Sequence, residues 1–276
     1  MSDIDPQLFR QFEHQGWQEI ASRYHSGFAA VTTQCVPALL DAARVSNGTR
    51  VLDVACGPGY VAAAAAARGA TATGIDFSSA MVEEAQGRYP GIDFHEDDAE
   101  GLSFSDSSFD AVVMNFGLLH LGRPDQAIRE VHRVLKPGGR GAFTVWTTPD
   151  KARGMGIVLD AIRKFGDLNV PIPPGPPFFR FSDSEESKRV LTVAGFTDIA
   201  VTEVPQVWRL SSSDELFEVM YNGSVRNAAL LRAQKPDVLE KIREEIRLQV
   251  ERAGKELPMP AVLISGEVVK PDNRLA

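Results

Sequence analysis

The stretch VLDVACGPGY, residues 51–60, places two glycines where a β-rich apolar run gives way to the helix formers VAAAAAA at 61–67. Glycine at such a junction lets the backbone turn sharply and lets a ligand approach without a Cβ in the way. The spacing Gly57-x-Gly59-x-x-Ala62 fits a nucleotide-cofactor turn. Asp76 lies 19 residues beyond Gly57, at the end of a second apolar run. A carboxylate there can accept both hydroxyls of a ribose. Two chemistries compete at this point: a nicotinamide or flavin dinucleotide, and S-adenosylmethionine.

Three features favour S-adenosylmethionine. Asp53 sits inside the strand, just before the turn. A buried carboxylate there is poorly placed for an anionic pyrophosphate, which wants bare amides, and suits a ligand carrying an ammonium and a sulfonium. The run EDDAE at 96–100 puts acids after a third strand, where Asp98 can accept from an adenine amino group and Ala99 can offer backbone. The turn LKPGGR at 135–140 leads into a fifth strand.

The elements that must hold these residues alternate. RVLDVA, ATATGID, IDFHE, FDAVVMNFG and GAFTVWT read as strands. Between them VAAAAAARG, SSAMVEEAQGRY and PDQAIREVHRVLK read as helices, the second with a serine cap, the third with Ile128, Val131, Val134 and Leu135 on one side. Alternation of this kind implies a parallel, doubly wound sheet. Residues 1–45 read as mainly helical. PIPPGPPFFRF at 171–181 can be neither helix nor central strand and reads as a loop or lid. DSEESKRVLTVAGF reads as a capped helix before one strand, TDIAVTEVPQVW. Residues 212–255 read as helical with a break near Pro236, and AVLISGEVV at 261–269 as a last strand.

The pieces VLDVACGPGY, GIDFSSAMVEEA, FHEDDAEGLSFSDSSFDAVVMNFGLLHL and AIREVHRVLKPGGRGAFTVW together resemble class I S-adenosylmethionine-dependent methyltransferases. Within that class the group containing the ubiquinone/menaquinone-biosynthesis C-methyltransferases and many natural-product methyltransferases is most similar. The resemblance spans residues 45–148. It implies a Rossmann-like α/β fold with a seven-stranded sheet in the order 3-2-1-4-5-7-6, strand 7 antiparallel. It also implies cofactor contacts by Asp53, Ala55, Gly57, Gly59, Asp76, Phe77, Met81, Asp98, Ala99, Asn115 and Phe116. Related enzymes fold an N-terminal segment over the cofactor, so Tyr24 reads either as part of a cap or as plain packing. His120, after strand four, falls where the transferred methyl should point. It reads as a general base, because an imidazole titrates near neutrality, or as a packed histidine. Cys56 has no evident task.

The expected organisation is one methyltransferase domain over 1–276: a helical cap at 1–45, a cofactor-binding core at 46–148, and lid segments, further helices and the last strands at 149–276. The aromatic residues Phe178, Phe179, Phe181, Trp208, Phe217 and Tyr221 fall in the additions that should roof the pocket, beside an ordinary core reading. The expected reaction is in-line methyl transfer to an O, N or C atom of a small hydrophobic or aromatic molecule, with no metal. Alternatives are a cofactor-binding enzyme that catalyses a rearrangement, or an NAD(P)-dependent oxidoreductase. The chain has 276 residues, 24% of them charged, and a net charge of −8. No Lys/Arg block argues for nucleic acid or an anionic membrane as a partner. Two cysteines, a polar N-terminus and no long apolar run point to the cytoplasm.

Overall fold

A computed structural model describes residues 4–25 and 27–269 of the chain. Three helices come first: α1 (Pro6–Tyr24), α2 (Ala29–Thr32) and α3 (Val36–Ala42). The alternating region follows as β1 (Arg50–Val54), α4 (Tyr60–Ala67), β2 (Thr71–Asp76), α5 (Ser79–Arg88), β3 (Asp93–Glu96), β4 (Phe109–Asn115), α6 (Pro124–Val134) and β5 (Leu135–Trp146). Next come α7 (Arg153–Phe165), α8 (Ser184–Val193), β6 (Phe196–Val204), β7 (Val207–Arg209), α9 (Glu215–Asn222), α10 (Arg226–Arg232), α11 (Pro236–Ala253), β8 (Glu256–Pro258) and β9 (Ala261–Val268).

Seven strands form one sheet in the order β3-β2-β1-β4-β5-β9-β6. Strands β1 to β5 pair in parallel, and β9 runs antiparallel to both β5 and β6. Counted along the chain within this sheet, β9 is the seventh strand, so the expected order 3-2-1-4-5-7-6 is the observed one. The central strands are covered on both faces. Val51, Leu52, Asp53 and Val54 of β1 are all buried, as are Ala111 to Met114 of β4, which explains their nearly unbroken apolar runs. Helix α6 buries Ala127, Ile128, Val131 and Val134 completely. A buried Val or Ile side chain contributes about 1.5–3 kcal/mol, so this stripe anchors the strand that follows it.

Three boundaries differ from the reading of the sequence. The LKPGGR turn lies within β5, not before it. Leu135 pairs with Phe109, and the register then jumps so that Arg140 faces Ala111, with Gly138 at φ +81. The run TDIAVTEVPQVW is two strands, since Pro205 and Gln206 separate β6 from β7, and β7 joins β8 in its own ribbon. Residues 212–255 form three helices, because Gly223 ends α9 before the break at Lys235 that precedes α11. Among the described residues no helix is long and apolar enough to cross a membrane.

Candidate active site

A cavity opens at the carboxyl ends of β1, β2 and β4, where ligands bind in open α/β sheets. Its floor is built by residues that leave those strands: Asp53 and Ala55, Asp76 and Phe77, Asn115 and Phe116. Two of these, Ala55 and Phe116, hold left-handed backbone conformations at φ +54 and +56. A left-handed conformation is costly for a residue with a Cβ and clusters at functional sites.

The glycine turn has two different glycines. Gly57 lines the cavity at φ +50, and a Cβ added there meets nothing within 4 Å. Gly59 does not line it. It caps α4 at φ +84, and a Cβ there would come 2.7 Å from Phe94 Cζ. The backbone amide of Gly57 donates to Asp76 Oδ2 at 2.9 Å, and the amide of Ser78 donates to Asp76 Oδ1 at 3.0 Å. Burial still pushes the Asp76 carboxyl up to about 6. Asp53 is more isolated. Its Oδ2 accepts from the Ala62 amide at 2.9 Å, while Oδ1 is buried without a hydrogen-bond partner among the described residues. Burial first, and the nearby Asp76 charge after it, push Asp53 up to about 8.

Helix α1 lies across this end of the sheet. Gln18 docks it on the start of α5, accepting from the Ser78 hydroxyl and the Ala80 amide and donating to the Ser79 hydroxyl. Nearer its N-terminus Arg10 reaches Asp98 Oδ2 at 2.9 Å. Ala99 is buried beside Asp98, and Met81 of α5 is buried on the same side.

The lining is also aromatic. Trp17, Phe28, Trp146 and Phe178 all line the cavity. Phe116 stacks on Trp146 with centroids 4.1 Å apart, and Phe28 packs against Trp208 behind the lining. The Asn115 side chain is fully engaged in holding the lining together. It donates to the Thr32 carbonyl and accepts from the hydroxyl of Thr144 and the thiol of Cys35. Tyr24 lines the cavity, shares a hydrogen bond with Thr32, and has its phenol pushed up to about 12 by burial.

At the roof, His120 Nδ1 sits 2.9 Å from Glu13 Oε2, and Arg226 Nε donates to Glu13 Oε1 at 2.8 Å. Glu13 is 0% exposed, His120 19% and Arg226 15%. The Trp17 indole donates to Glu13 Oε2 at 3.2 Å, and its ring meets His120 edge-on.

Of the expected site residues, Tyr24, Asp53, Ala55, Gly57, Asp76, Phe77, Met81, Asp98, Ala99, Asn115, Phe116 and His120 share one cavity, and Gly59 stands outside it. Of the aromatic additions only Phe178 faces it. Phe181, Trp208 and Phe217 are core, and Phe179 and Tyr221 pack beside the core. Glu13, Trp17 and Arg226 were not legible as site residues. The one signal, for Glu13 and Trp17 alone, is an acid and a tryptophan one helical turn apart in FEHQGWQ.

Residues 51–139 match the family described as Methyltransferase domain. The demethylmenaquinone methyltransferase of Paenarthrobacter aurescens is 30% identical over 211 residues, which is 72% of this chain and 81% of that protein. The demethylmenaquinone methyltransferase of Renibacterium salmoninarum is 43% identical over 111 residues, 40% of this chain and 47% of that protein. The chain thus spans about half the length of the first curated relatives it matches, 47% and 49%. Among solved structures, Haemonchus contortus phosphoethanolamine N-methyltransferase 2 in complex with S-adenosyl-L-methionine aligns with a TM-score of 0.52 at 18% identity, over 87% of this chain and 53% of that one. At that identity the likeness speaks for the fold.

Proposed function

This chain belongs to the S-adenosylmethionine-dependent methyltransferases, and from that membership we propose that it methylates an O, N or C atom of a small apolar or aromatic molecule. The observation that carries the proposal is one cavity lined both by carboxylates and by aromatic rings. Asp53, whose buried Oδ1 has no partner among the described residues, lines it beside the glycine turn, and Trp17, Phe28, Trp146 and Phe178 line it as well.

The carboxylate lining fits a cationic nucleoside. Asp53 Oδ1 has vacant lone pairs to accept from an ammonium, whose charge would favour the ionised carboxylate. The open space above Gly57 takes the chain that carries it. Asp76 uses one acceptor site of each oxygen on backbone amides. A carboxylate has about four such sites, so two remain for ribose hydroxyls. Asp98 and the backbone at Ala99 would hold the adenine edge, and Met81 and Phe77 would flank its ring. The same carboxylates would repel a pyrophosphate, which counts against the nicotinamide alternative. The cofactor, when bound, supplies a methyl group on a cationic sulfur whose leaving form is a neutral thioether.

The chain's own work is then to hold an acceptor on line with that methyl and to keep water out. Well-oriented partners gain up to about 7–11 kcal/mol over free encounter. The aromatic lining suits a planar acceptor, such as the demethylmenaquinone in the names of those relatives. The test is incubation with methyl-labelled cofactor and a panel of hydroquinones, phenols, catechols and aliphatic amines, read by mass spectrometry. Labelled product from aromatic acceptors supports the reading, and label on the amines alone overturns the aromatic assignment.

A further inference from the structure

We propose that Glu13 is a positioning residue for His120: it takes the Nδ1 proton and so leaves Nε2 as the bare nitrogen offered to the acceptor. The consequence for rate rests on the methyl-transfer reading above, but the tautomer itself does not.

The geometry is specific on both sides of the carboxylate. Oε2 receives His120 Nδ1 and the Trp17 indole, and Oε1 receives Arg226 Nε. Arg226 is itself fixed by the Leu119 carbonyl at 2.9 Å and the Pro176 carbonyl at 3.3 Å, and its guanidinium lies over Phe9 and Phe178. Every donor around Glu13 is thus a nitrogen, and an ionised carboxylate is the one acceptor they share. Burial alone pushes a carboxyl up, yet the charges and hydrogen bonds of His120 and Arg226 hold Glu13 below the usual glutamate value. Among the described residues Nε2 has no partner, and His120 lines the cavity. The other charged groups that act on the ring are Arg226 from α10 and Asp76 at the end of β2.

As the acceptor's heteroatom gives its electron pair to the methyl carbon, the carbon–sulfur bond breaks with its pair left on the neutral thioether, and the acceptor's X–H proton passes to Nε2. The imidazole becomes an imidazolium whose Nδ1–H remains on Glu13, and the proton later leaves to solvent. No other reactant is needed. Glu13 never meets the acceptor. It acts through the ring, as the buried acid of a catalytic triad orients its histidine.

Glu13→Gln separates this role from simple support of Arg226. An amide has a single oxygen. Arg226 and the Trp17 indole can both only donate, but the Arg226 bond is charged and shorter, 2.8 Å against 3.2 Å, and so the stronger. The oxygen turns to Nε, and the amide NH2 then faces Trp17 and His120 Nδ1. The ring must accept there and carry its proton on Nε2, which removes the base.

The experiment is nitrogen-15 NMR of the histidine rings in the protein bound to S-adenosylhomocysteine, at about pH 9 where an ordinary imidazole is neutral. It is paired with kcat for Glu13→Gln, His120→Ala and the double variant. We expect an Nδ1–H ring in the wild type and an Nε2–H ring in Glu13→Gln. We also expect kcat to fall about 10²- to 10³-fold with cofactor affinity within threefold, and no further loss in the double variant. An Nε2–H ring in the wild type overturns the proposal even if no variant folds. So does a Glu13→Gln protein with an unchanged ring, or losses that multiply in the double variant. Absence of turnover with every acceptor, alongside an Nδ1–H ring, overturns the methyl-transfer reading and leaves the positioning role standing.

Discussion

Asp53 and Asp76 clasp opposite ends of one turn: Asp76 accepts from the Gly57 amide, Asp53 from the Ala62 amide, each at 2.9 Å. Their strands are neighbours in the sheet, with Asp53 paired to Gly74. Both carboxylates face the same cavity, and each makes it harder for the other to ionise. A cation placed between them relieves both.

Cofactor binding is therefore expected to release protons. Asp53 sits at about 8 and Asp76 at about 6 in the free protein, and an ammonium and sulfonium nearby favour their ionised forms. At about pH 7 close to one proton should leave, and affinity should rise with pH between about 6 and 8, by about tenfold per unit near pH 7. Calorimetry in buffers of differing ionisation enthalpy reads this directly. Asp53→Asn should flatten the dependence. An enthalpy that is the same in every buffer would count against the assignment.

The same shifts set the stability of the cofactor-free protein. A carboxyl held above its unfolded value, 3.8 for aspartate, favours the folded state while protonated. That stability is fully present below about pH 4 and is lost as pH climbs through about 6 for Asp76 and about 8 for Asp53. Melting temperature should fall across that window in the wild type and fall less in Asp53→Asn. Parallel curves for the two proteins would contradict it.

Asp76→Ala removes the acceptor for two backbone amides and, in this reading, for two ribose hydroxyls. Charge-assisted hydrogen bonds contribute about 1.5–3 kcal/mol each. Cofactor affinity should drop more than tenfold in a folded variant. Unchanged affinity by calorimetry would remove Asp76 from the ribose site.

The two glycines should fail differently. Gly57→Val points a side chain into open cavity but at φ +50, so cofactor binding should be lost and the turn strained by about 1–2 kcal/mol, with no core clash. Gly59→Ala drives a Cβ into Phe94 in a left-handed conformation, so it should cost about 1–3 kcal/mol of stability. Thermal melts alongside binding isotherms separate them. Normal turnover by Gly57→Val would make the turn structural only.

Residues 171–177 carry no helix or strand, and Phe178 beyond them lines the cavity. A pocket that admits an acceptor and then excludes water must move some wall. A broad-specificity protease should cut here or within the first 30 residues, more slowly with S-adenosylhomocysteine and an aromatic acceptor present. Equal cutting with and without ligands would argue against a closing segment.

How far the sequence led depended on where information is local. The strands, the glycine turn and Asp76 follow from short motifs, because a strand end and its turn are neighbours in the chain, whereas the sheet order came from what the family resemblance implies. The limits of β5 and the split of β6 from β7 depend on pairing with distant partners, which periodicity does not record. Glu13 read as one more polar residue on a helix. Its burial depends on Arg226, 213 residues away, and on a histidine 107 residues away. Arg226 was covered only by the helical reading of 212–255, for the same reason. Gly59 fitted the motif by spacing, yet its side of the turn faces Phe94 and not the cavity.

The central claim is that one cavity holds a cationic cofactor against Asp53 and Asp76 and an aromatic acceptor against Trp17 and Trp146. The most direct measurement is turnover of aromatic acceptors with methyl-labelled S-adenosylmethionine, in the wild type and in Asp76→Ala. The account predicts an acceptor carrying one labelled methyl group in the wild type, and product reduced more than tenfold at limiting cofactor in the variant. Equal product from both proteins, or no labelled aromatic product from a wild type that binds the cofactor, would contradict it.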